Sequence, residues 1–410
     1  MTQLDSKFIR SQFPAFQEPS LNGWGFFENA GGSYTCRQVI SCLNDYYTQT
    51  KVQPYHNYPA AQKAGAAMDE SYSRLAAYLN VSEDEVQFGP STTQNLYVLA
   101  QAFRELWNEG DEIILSNQDH EANAGFWRRL EKTDIVIKEW CVDPETGLLN
   151  PDDLDAMLSH KTKLLAFPHC SNIIGHVNPV TEIVSKAKAA NVRVVVDGVA
   201  YAPHGLPDIG SLGADIYLFS LYKTWGPHLG LMTINKELMD RLPNQGHFFN
   251  SHILRKKMLP AGPDHAQIAA ASGVAHYLDT VYEHHYSKSV DQAEKGRHLR
   301  KLFQDHERNL LAKILKWLRK RDDIYIVGPD DPELRVPTVS IIPQKKSIDE
   351  VQAVLTANKL MTGQGHFYAA RPLMGLNIPI DTGVLRFSFL HYTIEDEINQ
   401  LIDGLSTALG

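Results

Sequence analysis

Between residues 88 and 234 the chain alternates short apolar runs with longer stretches of helical spacing, and this alternation limits what it can fold into. Runs at 112–115, 164–168, 192–197, 215–220 and 230–234 have strand length. Between them lie segments such as 181–190, where Ile183, Val184, Ala187 and Ala190 recur close to helical spacing and Asn191 is placed to end the helix. Strands alternating with helices predict a mostly parallel sheet covered on both faces. A long helical zone follows at 263–321, and its part 292–318 bridges to a second unit. There, strands at 324–327, 336–342 and 384–389 are expected around helices at 348–357 and 394–409, an α+β arrangement. The chain is therefore divided into an N-terminal segment 1–25, a large domain 26–285 and a smaller C-terminal domain 286–410.

Composition excludes several classes. Of 410 residues 43% are hydrophobic and 21% charged, which is globular usage and not that of a disordered chain. A net charge of -9 points away from nucleic-acid binding. Apolar runs such as 96–100 and 216–219 fall far short of the ~18 residues of a membrane span. The opening MTQLDSKFIR has no apolar core, so no signal peptide is expected. Cys36, Cys42, Cys141 and Cys170 form no CxxC pair, and a low, scattered count fits a reducing compartment, the cytoplasm. Ala124 stands where HExxH would need a second histidine after His120-Glu121, so no metal site is expected.

The stretch 194–230 carries the most chemistry. Asp197 closes an apolar strand, and ligands of open α/β sheets gather at the carboxyl ends of strands. Lys223 follows the next strand, just before Gly226-Pro227. A crowded lysine amine with a lowered pKa forms Schiff bases. Pyridoxal phosphate requires such a lysine, together with a carboxylate at its ring nitrogen. The two residues are 26 apart, roughly one βαβ step, so both can reach one cofactor. On spacing alone, Asp197 equally suits a helix cap and Lys223 a solvated loop.

The Asp197-Gly198 strand end, the Ala214-Asp215-Ile216 strand start and the run Ser220-Leu221-Tyr222-Lys223-Thr224-Trp225-Gly226-Pro227 resemble the class V aminotransferase family of fold type I pyridoxal-phosphate enzymes, in particular its cysteine desulfurase-like members. The resemblance implies an α/β fold of the aspartate aminotransferase-like, PLP-dependent transferase type. It also implies pyridoxal 5'-phosphate as cofactor, a small amino-acid substrate, and a homodimer with active sites near the subunit interface. Other segments take roles by the same resemblance. In Phe88-Gly89-Pro90-Ser91-Thr92-Thr93, Thr92 and Thr93 fall on phosphate-binding positions at a helix start. His120 is the residue that stacks on the cofactor ring and serves as acid or base, and Asn172 faces the cofactor's phenolic oxygen. Ser220 and Tyr222 contact phosphate, with Tyr222 in place of a common histidine. Arg386 grips the substrate carboxylate, for which a guanidinium fork is suited. Asn29, in Glu28-Asn29-Ala30, lies near the substrate entrance, and His56 also faces the site.

The chain departs from the pattern at three places. Ala200 stands where a glutamine often contacts the phenolic oxygen, which leaves Tyr201 or His204 to substitute. Pro260-Ala261-Gly262-Pro263-Asp264-His265 lacks the threonine that relatives lend across the dimer to the phosphate. The loop 362–370 has no cysteine to take sulfur; His366, Phe367 and Tyr368 occupy it, with His366 the candidate substrate contact. The expected reaction is therefore C–S cleavage of a cysteine derivative by elimination, with Lys223 moving the α-proton. A desulfurase with a non-standard sulfur acceptor and an epimerase or aminotransferase remain the alternatives.

Overall fold

The apolar runs of the first half become strands of one seven-stranded sheet in the computed structural model, which describes residues 2–410. Across the sheet the order is Val86–Gly89, Gly230–Ile234, Ile216–Ser220, Arg193–Asp197, Thr162–Pro168, Glu112–Ser116 and Val136–Trp140. Gly230–Ile234 runs antiparallel to both neighbours, and every other pairing is parallel. Side chains of a strand point alternately to opposite faces. Accordingly Leu165, Phe167, Val194, Val196 and Phe219 enter one apolar layer, while Leu164, Ala166, Val195 and Leu218 enter the other. Both faces are buried, which is why these strands read as unbroken apolar runs.

The helix predicted at 181–190 spans Val180–Ala189 and buries Val180, Ile183, Val184 and Ala187. Asn191 then adopts a left-handed turn, φ 64°, and the chain enters the next strand. The helical zone predicted at 263–321 is two helices, His265–His285 and Gln292–Leu318. Each begins at its own aspartate cap, Asp264 and Asp291, whose carboxylates accept from backbone N–H groups three residues on. Edge strand Val136–Trp140, with Val136 46% exposed, is too mixed in polarity for the pattern to reveal.

The second sheet is antiparallel, in the order Gly363–Gly365, Val384–Ser388, Thr338–Pro343, Ile324–Val327. Helices Ile348–Ala357 and Glu395–Leu409 pack with it, as do Leu310, Leu311, Ile314 and Leu315 from the far half of Gln292–Leu318. The N-terminal part crosses to this end of the molecule. Gly25–Phe26 pairs in parallel with Leu360–Met361, and Glu28 bridges to Ser388. Among the described residues no helix is long and apolar enough to cross a membrane.

Candidate active site

One edge of the large sheet collects the chemistry. The parallel strands end there at Ser116, Pro168, Asp197 and Ser220, and the reversed strand begins there at Gly230. Register places Gly89, Gly230 and Ser220 side by side and Pro168 beside Asp197. The segments after these strands therefore meet over a single cleft. An inner cavity is lined by Thr92, Asp197, Ser220 and Lys223, among others. An outer one of about 510 Å³ leads on to Glu28, Phe367 and Arg386. The two share Thr93, His120, Ala122, Asn172, Tyr222 and Lys223.

Lys223 ends a single 3-10 turn, Leu221–Lys223. Two residues later Trp225 is held in left-handed backbone, φ 60°, a conformation that costs an ordinary residue ~1–2 kcal/mol. Burial secures it: its N–H donates to Ser33 Oγ at 2.8 Å, and its ring packs edge-on against Tyr277, Phe303 and His391. Among the described residues the lysine Nζ has no hydrogen-bond partner. Burial, reinforced by the Arg386 charge, lowers its pKa to about 8, against the opposing pull of Asp197 and Glu28. Asp197 is buried, and Oδ1 accepts from Val199 N at 2.8 Å while the second oxygen has no donor among the described residues. Burial raises its pKa to about 6, although the Val199 N–H and Lys223 favour the anion. Around Asp197 the packing is tight. The Tyr217 hydroxyl and His169 Nδ1 are hydrogen-bonded at 2.7 Å, and His169 stacks on Tyr201 at 3.6 Å.

At the other end of the cleft, Ser91 caps the helix Thr92–Arg104 by accepting from Gln94 N at 3.1 Å. The first N–H groups of a helix, here those of Thr92 and Thr93, have no acceptor within it. Thr92 Oγ1 lies 2.8 Å from Ser220 Oγ. This closeness depends on Gly230, since a Cβ there would come within 2.4 Å of the Ser91 carbonyl carbon and 2.5 Å of Thr92 N. His120 caps the helix Glu121–Arg128, Nδ1 accepting from Ala122 N at 3.0 Å, so its proton is on Nε2. Burial, then the charges of Lys223 and Arg386, push its pKa to about 3, so the imidazole is neutral. Arg386 stands on the Val384–Ser388 strand, 2% exposed. It donates to Glu28 Oε1 at 2.7 Å and to Asn172 O at 3.0 Å, and lies 3.6 Å over the Phe367 ring. Its Nε and Glu28 Oε2 are buried without partners.

Several expectations need correction. Asn172 lines the cleft; its Nδ2 donates one hydrogen to Phe367 O at 3.1 Å and keeps a second, and its Oδ1 is buried without a partner. Asn29 is spent inside the protein: Nδ2 donates to Phe26 O and Ser388 O, and Oδ1 accepts from Tyr392. Glu28, Ala30 and Gly31 line the cleft in its place. His56 is exposed, stacks on Tyr58, and lines neither cavity. His366 turns back to accept from Tyr368 N, and Phe367 and Tyr368 take the cleft wall. Neither substitute for the missing glutamine reaches the site, because His204 is paired with Glu307 at 2.8 Å and Tyr201 lies on His169. Two residues were not foreseen: Asp119, buried behind His120 and bonded to Ser116 and Asn123, and His228, which borders the phosphate end. Asp119 opens the same Asp119-His120-Glu121-Ala122 motif that places His120, and His228 directly follows Gly226-Pro227.

Residues 25–401 match the family model described as Aminotransferase class-V. The chain belongs to that family. It is 34% identical to the aminotransferase-like protein FGM3 of Gibberella zeae over 98% of both chains. It is 29% identical to the cysteine desulfurase-like protein ustD of Aspergillus flavus, over 98% of this chain and 90% of that one. Its fold is that of the cysteine desulfurase from Thermococcus onnurineus NA1, with TM-score 0.86 at 21% identity, covering 100% of this chain and 99% of that structure. Class-V aminotransferase family enzymes depend on pyridoxal 5'-phosphate, and this chain is such an enzyme, a lyase or a transferase acting on an amino acid. The cleft fits the cofactor on its own chemistry. It offers an amine with no competing hydrogen bond, a carboxylate oxygen left without a donor, and hydroxyls beside unpaired helix N–H groups.

Proposed function

We propose that this enzyme cleaves the C–S bond of a cysteine derivative by elimination, with no sulfur carried on the protein. The supporting observation is the loop 362–370, which offers the cleft Phe367 and Tyr368 and no thiol. The one thiol on the cavity wall, Cys170, is 2% exposed and points its Sγ at Gly175 O, 3.2 Å away. Burial pushes its pKa well up, so it is not a thiolate, the form that attacks sulfur.

Pyridoxal phosphate, joined to the substrate nitrogen, supplies an electron sink that makes the α-proton acidic. In this reading Lys223 would hold the cofactor, and its amine would take the proton from the substrate Cα. Asp197 holds a proton on the ring nitrogen. His120 stacks on the ring, its neutral Nε2–H ready to donate. Arg386 holds the α-carboxylate, its fork already aimed by Glu28 and Asn172. Loss of the α-proton and of the Cβ–S bond, with one water consumed, would give a thiol, pyruvate and ammonia. Residues 26–285 carry the lysine end and 286–410 the carboxylate grip. The four free, scattered thiols support a cytoplasmic setting, and a second copy of the chain is the proposed partner.

Holoenzyme incubated with cysteine and S-substituted cysteines tests this. Pyruvate, ammonia and free thiol in equal amounts are the expected products. Alanine with sulfur passed to an added thiol establishes a desulfurase instead, and a keto acid with the sulfur retained establishes an aminotransferase.

A further inference from the structure

Pyridoxal phosphate brings a phosphate group of nearly two negative charges at neutral pH. The residues gathered for it, Thr92, Thr93, Ser220 and Tyr222, contribute hydroxyls and two helix N–H groups but no positive charge. Arg386 lies at the opposite end, paired with Glu28 at 2.7 Å. The amine of Lys223 is committed to the cofactor's carbonyl carbon. Only one other cation-forming side chain borders this end of the cavity, His228.

We propose that His228 is the charged ligand of the cofactor's phosphate. It sits three residues before the Leu231 backbone pairs with Phe88 and Phe219, on the short return from Lys223. The return folds its ring flat against Tyr222, with centroids 4.7 Å apart and planes 9° from parallel. Stacking fixes the plane of the imidazole, and neither ring nitrogen is engaged by any other described residue. The ring borders both the inner cavity and a groove on its outer side formed by Pro90, Met258 and Pro260, so it stands at the wall between them. An imidazolium donates from both ring nitrogens, which suits it to a phosphate oxygen. One charge-assisted N–H···O bond then complements the hydroxyls and the helix start.

The inference rests on pyridoxal phosphate as the resident cofactor, and the test separates the two. Apoprotein, prepared by removing the cofactor from purified holoenzyme, is titrated with pyridoxal phosphate and with pyridoxal, which lacks the phosphate. Wild type binding pyridoxal phosphate far more tightly than pyridoxal supports the cofactor reading; its failure to do so removes both. For His228→Gln and His228→Ala the dissociation constant of pyridoxal phosphate is expected to rise about ten- to hundredfold. That of pyridoxal stays within about twofold. The ³¹P resonance of the bound cofactor moves in both variants. Equal losses for the two ligands, or no loss and an unmoved resonance, overturn the proposal. Because the His228 side chain is exposed, both variants should retain the wild-type melting temperature as apoproteins, which separates a lost ligand from lost folding.

Discussion

The amine at 223 is expected to be unprotonated far more often than an ordinary lysine. Its pKa is lowered from 10.5 to about 8, chiefly by burial. At pH 7 a pKa of 8 leaves roughly one amine in eleven neutral, against roughly one in three thousand at 10.5, a ratio of about 300. The sign for stability follows. The folded state releases this proton earlier than the unfolded one, so the lysine costs the apoprotein stability below about 8, and that cost fades as pH rises from there to 10.5. Competitive acetylation of the apoprotein, read peptide by peptide in a mass spectrometer between pH 6 and 11, measures the neutral fraction directly. Exposed lysines such as Lys301 serve as internal references. The Lys223 peptide should reach half its plateau near pH 8. Arg386→Met should raise that midpoint, because Arg386 is the largest charge pressing on the amine, and Asp197→Asn should lower it. A midpoint near 10.5, or one unmoved by both substitutions, refutes the account of an amine primed by its surroundings.

Arg386→Lys keeps the charge and loses the fork, so the substrate KM should rise about tenfold or more with kcat less affected; steady-state kinetics on one substrate decides it. Gly198→Ala places a methyl within 2.2 Å of the Tyr217 ring and hydroxyl, and a loss of about 1–3 kcal/mol or more in urea unfolding is expected. Glu307→Ala strands His204 in the interior at 3% exposure and should cost about 1–3 kcal/mol by the same assay, with cofactor absorbance unchanged.

Much of this architecture was legible because burial writes itself into composition. Strands covered on both faces, such as Arg193–Asp197 and Ile216–Ser220, admit only apolar residues until their functional ends, so Asp197 and Ser220 stood out where the runs stop. The helix pair after Pro263 reads as one zone because its caps, Asp264 and Asp291, are ordinary aspartates among many. Side-chain direction was the main thing hidden. Asn29 and Asn172 fall on informative positions, yet one amide faces inward to Tyr392 and the other gives one of its N–H groups to a loop 195 residues away. His228 was one histidine among 17, since nothing local signals that a turn will lay it on Tyr222.

The reversed strand Gly230–Ile234 has a consequence for anyone remodelling this protein. A parallel neighbour would have needed a long crossover, but the reversal lets the chain double back from Ser220 to Gly230 over only the residues 221–229. The Lys223 nitrogen is therefore mounted on a hairpin whose ladder aligns Ser220, Gly230 and Gly89 in one row. Adding or deleting a single residue in that hairpin would turn its side chains over or pull the row out of line. Its length, more than any contact in the cleft, sets how far this scaffold tolerates redesign.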